Sequence, residues 1–146
     1  MTYTIGQAAK KMGLTAHTLR YYDKEGLLPF VQKSSSGLRI FSDKDLDWLV
    51  IIECLKGTGM QIKDIRQYID WCLKGDSTIH QRLEMFKRQK AKLEEEIKQL
   101  NRFMEKINYK IAYYTEADQK GSIDAAEQSK CLAAERKRIF QNNSEN

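Results

Sequence analysis

The chain has 146 residues, of which 31% are charged and 41% hydrophobic, and its formal net charge is +5. This length suits one modest domain with an extension, and no apolar run approaches the ~20 residues that a membrane-spanning helix requires. The first residues lack the basic and apolar regions of a secretory signal, which predicts a cytoplasmic protein. The three cysteines are odd in number and widely spaced, which argues against a structural disulfide.

The positive charge is concentrated in the first 41 residues. They hold six Lys or Arg against two acids, whereas the remaining 105 residues hold 19 basic and 18 acidic side chains. Such a basic segment is suited to neutralising DNA phosphates. A membrane surface would also attract it, but the segment contains no amphipathic stretch that could anchor it there.

Residues 15–26 are predicted to form a short helix with both ends marked in the sequence. Thr15 can cap the first free N–H groups, and Gly26 can adopt the left-handed conformation that ends a helix. Leu19 and Tyr22 fall on one side, which is predicted to face a core. The opposite side is polar and basic, and it carries His17, Arg20, Tyr21 and Lys24.

A shorter apolar-patterned segment, residues 5–12, precedes this helix across a turn at Gly13. Two short helices joined in this way are typical of a helix-turn-helix, here predicted over residues 5–24. In that motif the exposed face of the second helix meets DNA bases and phosphates in the major groove. Any small helical domain also has a polar face, so the pattern alone leaves both interpretations open.

Two β-prone runs, residues 30–33 and 38–41, flank Ser34-Ser35-Ser36-Gly37 and predict a hairpin, or wing, over residues 30–41. A two-stranded hairpin is marginal alone, so we expect it to pack on the helices. Lys33 and Arg39 flank its tip, where cations can contact a sugar-phosphate backbone. The alternative is an ordinary loop with two solvated cations.

Two more helices are predicted to complete a domain spanning residues 1–75. Ser42 and the acids after it open the first, which runs to Gly57. This helix is apolar nearly all round, which predicts burial on more than one side and hence a partner chain. The second, residues 61–74, has one apolar stripe and ends at Gly75.

Residues 76–115 contain neither glycine nor proline and are predicted to form one long helix. Its apolar residues recur at alternating spacings of four and three over about five heptads, which is typical of a coiled coil. A helix cannot bury such a stripe against itself, so the pattern predicts a homodimer. The predicted dimerisation residues are Leu83, Phe86, Leu93, Ile97, Leu100, Met104, Ile107 and Ile111.

Residues 116–146 are mostly polar and are predicted to form a flexible tail. They include Gly121, Ser122 and the run Asn142-Asn143-Ser144. A composition of this kind cannot bury a large core, although a short helix at residues 125–140 is compatible with it.

Residues 3–115 resemble the MerR family of bacterial transcription regulators. The most specific part is Leu19-Arg20-Tyr21-Tyr22-Asp23 with Gly26-Leu27-Leu28 after it. In the wing, Leu38 and Phe41 stand where tyrosines are common in the family, whereas Arg39 is retained. The other residues that carry the resemblance are Tyr3-Thr4-Ile5-Gly6, Ala9, Gly13-Leu14-Thr15, Thr18, Gly37-Leu38-Arg39, Phe41, Gly57, Gly59-Met60 and Ile62.

The resemblance implies a mainly α-helical fold, with a winged helix-turn-helix head and a long C-terminal helix that dimerises as an antiparallel coiled coil. It implies a regulator that binds a palindromic operator in double-stranded promoter DNA. Such proteins untwist and kink an overlong spacer when signalled, so that RNA polymerase can engage both promoter elements. The implied DNA contacts are Thr15 (a cap first), His17, Thr18, Arg20, Tyr21 and Lys24 from the second helix, and Lys33 and Arg39 from the wing.

The signal is predicted less directly. About 30 residues follow the coil, too few for a large ligand domain. Three or four convergent metal ligands are not apparent, so neither a metal site nor a cofactor is expected. The sequence around Cys54 resembles the subgroup that responds to aldehydes and other thiol-reactive electrophiles, which implies a stress response through Cys54. Alternatively, Cys54 is a small hydrophobic core residue; Cys72 is a second candidate, and Cys131 is expected to be exposed.

Other classes of function make different predictions. No pair of carboxylates, nucleophile with a base, or phosphate-binding glycine loop is apparent, so the chain is not expected to be an enzyme. A MerR-like regulator with a non-thiol effector, or with none, is an alternative. A coiled-coil interaction protein whose basic head binds acidic partners is the other alternative.

Overall fold

The computed structural model describes residues 1–141, and most of these are helical, as the sequence predicts. Two compact units divide the chain between Ala91 and Lys92, within one continuous helix. The run Asn142-Asn143-Ser144 lies outside the described residues. The elements are β1 (Thr2–Thr4), α1 (Ile5–Lys11), α2 (Ala16–Lys24), β2 (Gln32–Lys33), β3 (Arg39–Ser42), α3 (Asp43–Gly57), α4 (Ile62–Lys74), a 3₁₀ turn (Gly75–Thr78), α5 (Ile79–Lys120), α6 (Ile123–Glu127) and α7 (Lys130–Gln141).

The helix-turn-helix consists of α1 and α2. Thr4 caps α1: its hydroxyl accepts from the Gln7 N–H, and the Gln7 side chain accepts from the Thr4 N–H at 2.9 Å. Gly13 adopts a left-handed conformation, with φ of 66°, in the turn between the helices. Both helices therefore begin and end where local sequence signals predict.

The wing belongs to a three-stranded antiparallel sheet with the order β1-β3-β2. Tyr3 pairs with Phe41, and Gln32 pairs with Ile40. The sequence predicts only the β2–β3 hairpin, and β1 is an addition. Three residues are too few to display an alternating side-chain pattern, and β1 contributes through main-chain hydrogen bonds. The third strand supplies the support that an isolated hairpin lacks.

The first unit, residues 1–91, has one hydrophobic core to which every helix of the unit contributes. An aromatic column runs alongside it. Phe30 at the base of the wing stacks on Trp48 of α3, with ring centroids 5.2 Å apart. Trp48 contacts Tyr68 of α4, which meets Phe86 of α5 edge to face at 5.2 Å. The largest fully buried side chains are Leu19, Tyr22, Leu27, Leu28, Phe41, Leu49, Ile52, Ile65 and Ile69.

Helix α3 buries one side within this chain. Ser42 and Asp45 form its capping box, and Leu49, Ile52 and Leu55 face the core. Val50 and Ile51 are exposed, so α3 is not buried on a second side within this chain, and its burial by a partner chain stays a prediction. Cys54 is also exposed, and the alternative that it is a core residue of this chain is therefore wrong.

Helix α5 starts three residues later and ends five residues later than the predicted bounds of 76–115. The predicted dimerisation residues are exposed in the single chain, with Ile97 at 50%, Leu100 at 64% and Ile111 at 59%. Although α5 has 42 residues, neither it nor any other helix in residues 1–141 is long and apolar enough to cross a membrane.

The predicted flexible tail is helical as far as Gln141. Helices α6 and α7 place Ala126, Leu132 and Ile139 in a second hydrophobic cluster with Tyr109 and Tyr113 of α5. The Tyr113 hydroxyl donates to Glu127 at 2.7 Å. The apolar residues after 116 are few, but their spacing puts them on one side of each short helix, and composition alone does not detect this.

Two tyrosines of the first unit lie between helices, Tyr22 buried and Tyr68 half-buried. Tyr22 of α2 donates to the Glu53 carboxylate of α3 and accepts from the Lys56 ammonium at 3.0 Å. Burial and the Glu53 carboxylate raise the pKa of Tyr22. Burial and the neighbouring Cys72 raise the pKa of Tyr68 to about 12. The folded state therefore favours both neutral phenols.

We expect the free energy of unfolding to fall as the pH rises above about 10, the ordinary tyrosine pKa. Above that pH the unfolded chain releases the Tyr22 and Tyr68 protons while the folded chain retains them, and for Tyr68 the loss extends to about pH 12. Urea denaturation of the wild type, Tyr22→Phe and Tyr68→Phe across this range should give shallower declines for the variants. The difference at pH 7 controls for lost contacts, and equal declines in all three proteins would contradict the assignment.

Candidate nucleic-acid interface

The two sides of α2 are sharply different. Leu19 and Tyr22 are fully buried, which fixes the rotation of the helix about its axis. The opposite side is solvent-exposed along the whole helix, as the sequence predicts. Its exposed residues are His17, Arg20, Tyr21 and Lys24, and Thr18 at its first turn is half-buried.

Thr15 has the capping role that the sequence predicts. Its hydroxyl accepts a hydrogen bond from the Thr18 N–H at 3.1 Å, and the two hydroxyls lie 2.9 Å apart. The side chains of Thr15 and Thr18 are therefore held in one orientation at the start of α2. Contact of either residue with DNA stays a prediction.

Gly26 ends α2 immediately after its polar face. Its φ is 77°, and the Leu27 N–H donates to the Tyr22 carbonyl at 2.9 Å, as in a Schellman motif. A Cβ at Gly26 would lie 3.4 Å from the Arg66 side chain. This tight turn sends Leu27 directly into the core, so Lys24 is the last exposed cation of the helix.

The wing presents its tip to solvent. The Ser34 N–H donates to the Leu38 carbonyl at 2.7 Å, and Gly37 has the left-handed φ of 81° that closes the turn. Lys33 is exposed, and the Leu38 side chain is 69% exposed. The hairpin thus carries one exposed cation, Lys33, and two exposed apolar side chains, Leu38 and Ile40, beside the helix-turn-helix.

A cavity of about 520 Å³ lies between α2, the wing and the N-terminal segment. Arg20 and Asp23 line it from α2, and residues 34–40 line it from the wing. Thr2, Thr4 and Gln7 close the third side. The groove brings the Arg20 guanidinium and several hydroxyls together with the Asp23 carboxylate and the apolar side chains of Ile5, Leu38 and Ile40.

Arg39 is more constrained than the sequence suggests. Its Nε donates to Asp23 Oδ2 at 3.0 Å, Nη2 donates to Asp23 Oδ1, and Nη1 donates to the Val31 carbonyl. Its side chain is only 21% exposed. Sequence reasoning missed this pair because no periodicity relates residues 16 positions apart. Contact of Arg39 with DNA stays a prediction, now for a guanidinium that already has three partners.

The three cysteines have different surroundings. Cys54 and Cys131 are exposed and Cys72 is half-buried, and none forms a disulfide. Arg82 Nη1 lies 3.8 Å from the Cys72 sulfur. Lys56, the cation nearest to Cys54 in sequence, donates a hydrogen bond to the Tyr22 hydroxyl. In the part of the chain that the structure describes, no three His, Cys, Asp or Glu side chains are grouped to hold a metal ion.

Comparison with known proteins finds a family and several relatives that share these sequence features. Residues 3–71 match the family model described as MerR HTH family regulatory protein. An uncharacterised HTH-type transcriptional regulator of Haemophilus influenzae is 46% identical over 86% of this chain and 93% of its own length. AdhR of Bacillus subtilis, an HTH-type transcriptional regulator, is 40% identical over 53% of this chain and 56% of its own length.

A solved structure shows the same fold. HiNmlR, described as a MerR family regulator lacking the sensor domain and crystallised with promoter DNA, matches with a TM-score of 0.77 and 46% identity. The match covers 86% of this chain and 99% of that one. These relatives are described as regulators of transcription, not as enzymes. The present chain belongs to the MerR family of helix-turn-helix transcription regulators.

Proposed function

We propose that this regulator binds a palindromic operator in double-stranded promoter DNA as a homodimer and distorts the spacer to control transcription. The main support is the exposed polar face of α2 beside the wing, in a chain 46% identical to a regulator crystallised with promoter DNA. RNA polymerase on the same promoter is the second partner in this proposal. A protein acting on a bacterial chromosome works in the cytoplasm.

In this proposal α2 lies in the major groove and the wing lies along the backbone. Arg20, with an exposed and planar guanidinium, is suited to a guanine edge or a phosphate. Lys33 is suited to a phosphate, which fixes the position of the protein without reading sequence. The full set of proposed contacts is Thr15, His17, Thr18, Arg20, Tyr21, Lys24, Lys33 and Arg39.

Replacement of the proposed contacts tests DNA binding directly. We expect Arg20→Ala to lower operator affinity at least tenfold, and Lys33→Ala to reduce the slope of log affinity against log salt by about 1 per protomer. Fluorescence anisotropy at several salt concentrations measures both. Lys130→Ala removes an exposed cation from α7 and should change neither. Binding to acidic proteins that survives Arg20→Ala, without DNA binding, would favour the interaction-protein alternative.

The exposed stripe on α5 supports the homodimer. Apolar residues on this stripe, from Leu83 to Ile111, are between 36% and 64% exposed, and monomeric proteins rarely leave so long an apolar surface to water. Helices α6 and α7 pack on other residues of α5 and leave the stripe uncovered. A second α5, antiparallel as in the family, offers a matching stripe.

A charge in this stripe should separate the subunits. We expect Leu100→Asp to weaken the dimer at least tenfold, because the pairing would then bury an unpaired carboxylate. Asn101→Asp places the same charge on the next residue, off the stripe, and should leave the dimer intact. Sedimentation velocity at micromolar concentrations measures this difference. Equal behaviour of the two variants would contradict pairing through the stripe.

We further propose that reactive electrophiles, aldehydes among them, signal through Cys54. Its exposure supports access for a reagent, and its neighbours Val50 and Ile51 form the apolar side of α3 that the single chain leaves open. An adduct there would change a surface suited to a partner subunit. Cys72 is the second candidate, because it is half-buried and the Arg82 guanidinium lies 3.8 Å from its sulfur. A regulator with a non-thiol effector, or none, is the alternative.

Thiol chemistry separates these alternatives. We expect Cys54 in the native protein to react with near-stoichiometric iodoacetamide, as measured by peptide mass mapping, and Cys54→Ser to abolish the electrophile response of a transcription assay. Cys131→Ser should respond like the wild type. A response that survives Cys54→Ser but not Cys72→Ser would move the sensor to Cys72. Responses in both variants would exclude both thiols.

A further inference from the structure

We propose that Asp23 and Arg39 are positioning residues that hold the wing at a fixed orientation to α2, so that both can meet DNA together. This inference rests on the proposed DNA contacts and adds to them. It gives Arg39 a role that precedes any phosphate contact, and it assigns a role to Asp23, which is not among the predicted contacts.

Apart from the pairing of β1 with the end of β3 and the Phe30–Trp48 stack at its base, the wing has few other contacts that could hold it. Strand β2 has only two residues, and in residues 32–40 every side chain except Ser34 and Arg39 is exposed. The nearest buried side chains, Val31 and Phe41, lie at its base. Of the two charged side chains in this segment, Lys33 is exposed and Arg39 is packed against the rest of the first unit.

The geometry of the pair suits this role. Nε and Nη2 of Arg39 donate to the two carboxylate oxygens of Asp23, so the two planar groups are locked in one relative orientation. The remaining terminal nitrogen donates to the carbonyl of Val31, where the chain enters the wing. One guanidinium thus connects α2, the entry to β2, and β3. A lysine at this position could not form the same fork.

The charges around the pair point to the same role. Asp23 lies in the last turn of α2, where the helix dipole disfavours an anion, and it lines the groove between α2 and the wing. Lys33 lies directly opposite Arg39 in the hairpin, and like charges in that position destabilise a sheet. The Asp23–Arg39 ion pair offsets both effects, because Arg39 neutralises the Asp23 carboxylate and Asp23 reduces the repulsion between Arg39 and Lys33. A carboxylate that served no positioning role would only repel DNA.

The positioning role and the charge of Asp23 have opposite expected effects on DNA binding, so replacing Asp23 distinguishes between them. The probe is a DNA duplex selected from a random-sequence library by the wild-type protein, and affinity is measured at several salt concentrations. We expect Asp23→Asn to bind about tenfold more weakly or worse, although it removes a negative charge from the interface. The salt slope should stay close to that of the wild type, because no phosphate contact is removed.

Two further variants separate position from charge. Arg39→Lys keeps the charge but loses the fork, and it should weaken binding about as much as Asp23→Asn. The double variant Asp23→Asn/Arg39→Lys should bind no worse than the weaker of the two single variants, because each change removes the same interaction. Glu25→Gln, which removes another acid at the end of α2, is the matched control and should bind at least as tightly as the wild type.

Amide hydrogen exchange in the absence of DNA tests the same proposal independently. We expect exchange in residues 32–40 to accelerate in Asp23→Asn and Arg39→Lys, while α1 stays as protected as in the wild type. Unchanged or tighter DNA binding by Asp23→Asn, with unchanged exchange in the wing, would overturn the proposal. If the wild type selected no duplex, the proposed DNA contacts would fail, and exchange would still decide whether the pair holds the wing.

Discussion

The burial of Leu19 and Tyr22 is the constraint on which the rest of the head depends. At about 100° per residue, two buried positions three apart leave no freedom to rotate α2, so Arg20, Tyr21 and Lys24 must point to solvent. The phenol of Tyr22 adds a polar connection to α3 through Glu53 and Lys56. The packing of Leu19 and Tyr22 in the core therefore determines which side chains form the exposed polar face of α2.

The same packing determines where the wing can lie. With α2 fixed, the Asp23 carboxylate is directed towards Arg39, and the aromatic column from Phe30 holds the other side of the hairpin base. The wing is therefore supported by the pairing of β1 with β3, one ion pair and one ring stack instead of by a core of its own.

Much of this architecture could be predicted because its signals are local. The cap at Thr15, the left-handed Gly26 and the four-three spacing of α5 all depend on neighbouring residues. The features that the sequence did not predict depend on residues far apart in the chain. Strand β1 pairs with β3 through its main chain, and Arg39 binds Asp23, which lies 16 positions earlier. Whether Cys54 is exposed stayed open, since a helix that is apolar nearly all round does not reveal which side faces the core.

Helix α5 has two apolar sides with different uses. Tyr109 and Tyr113 hold α6 and α7, whereas Ile107 and Ile111 remain open on another side. Inserting one residue in the middle of the helix would turn everything beyond it by about 100°, whereas inserting seven or eleven residues would restore the alignment to within about 20°. Relatives of different coil length should therefore differ by such near-whole numbers of turns, the shortest of which, seven residues, lengthens the helix by about 10 Å.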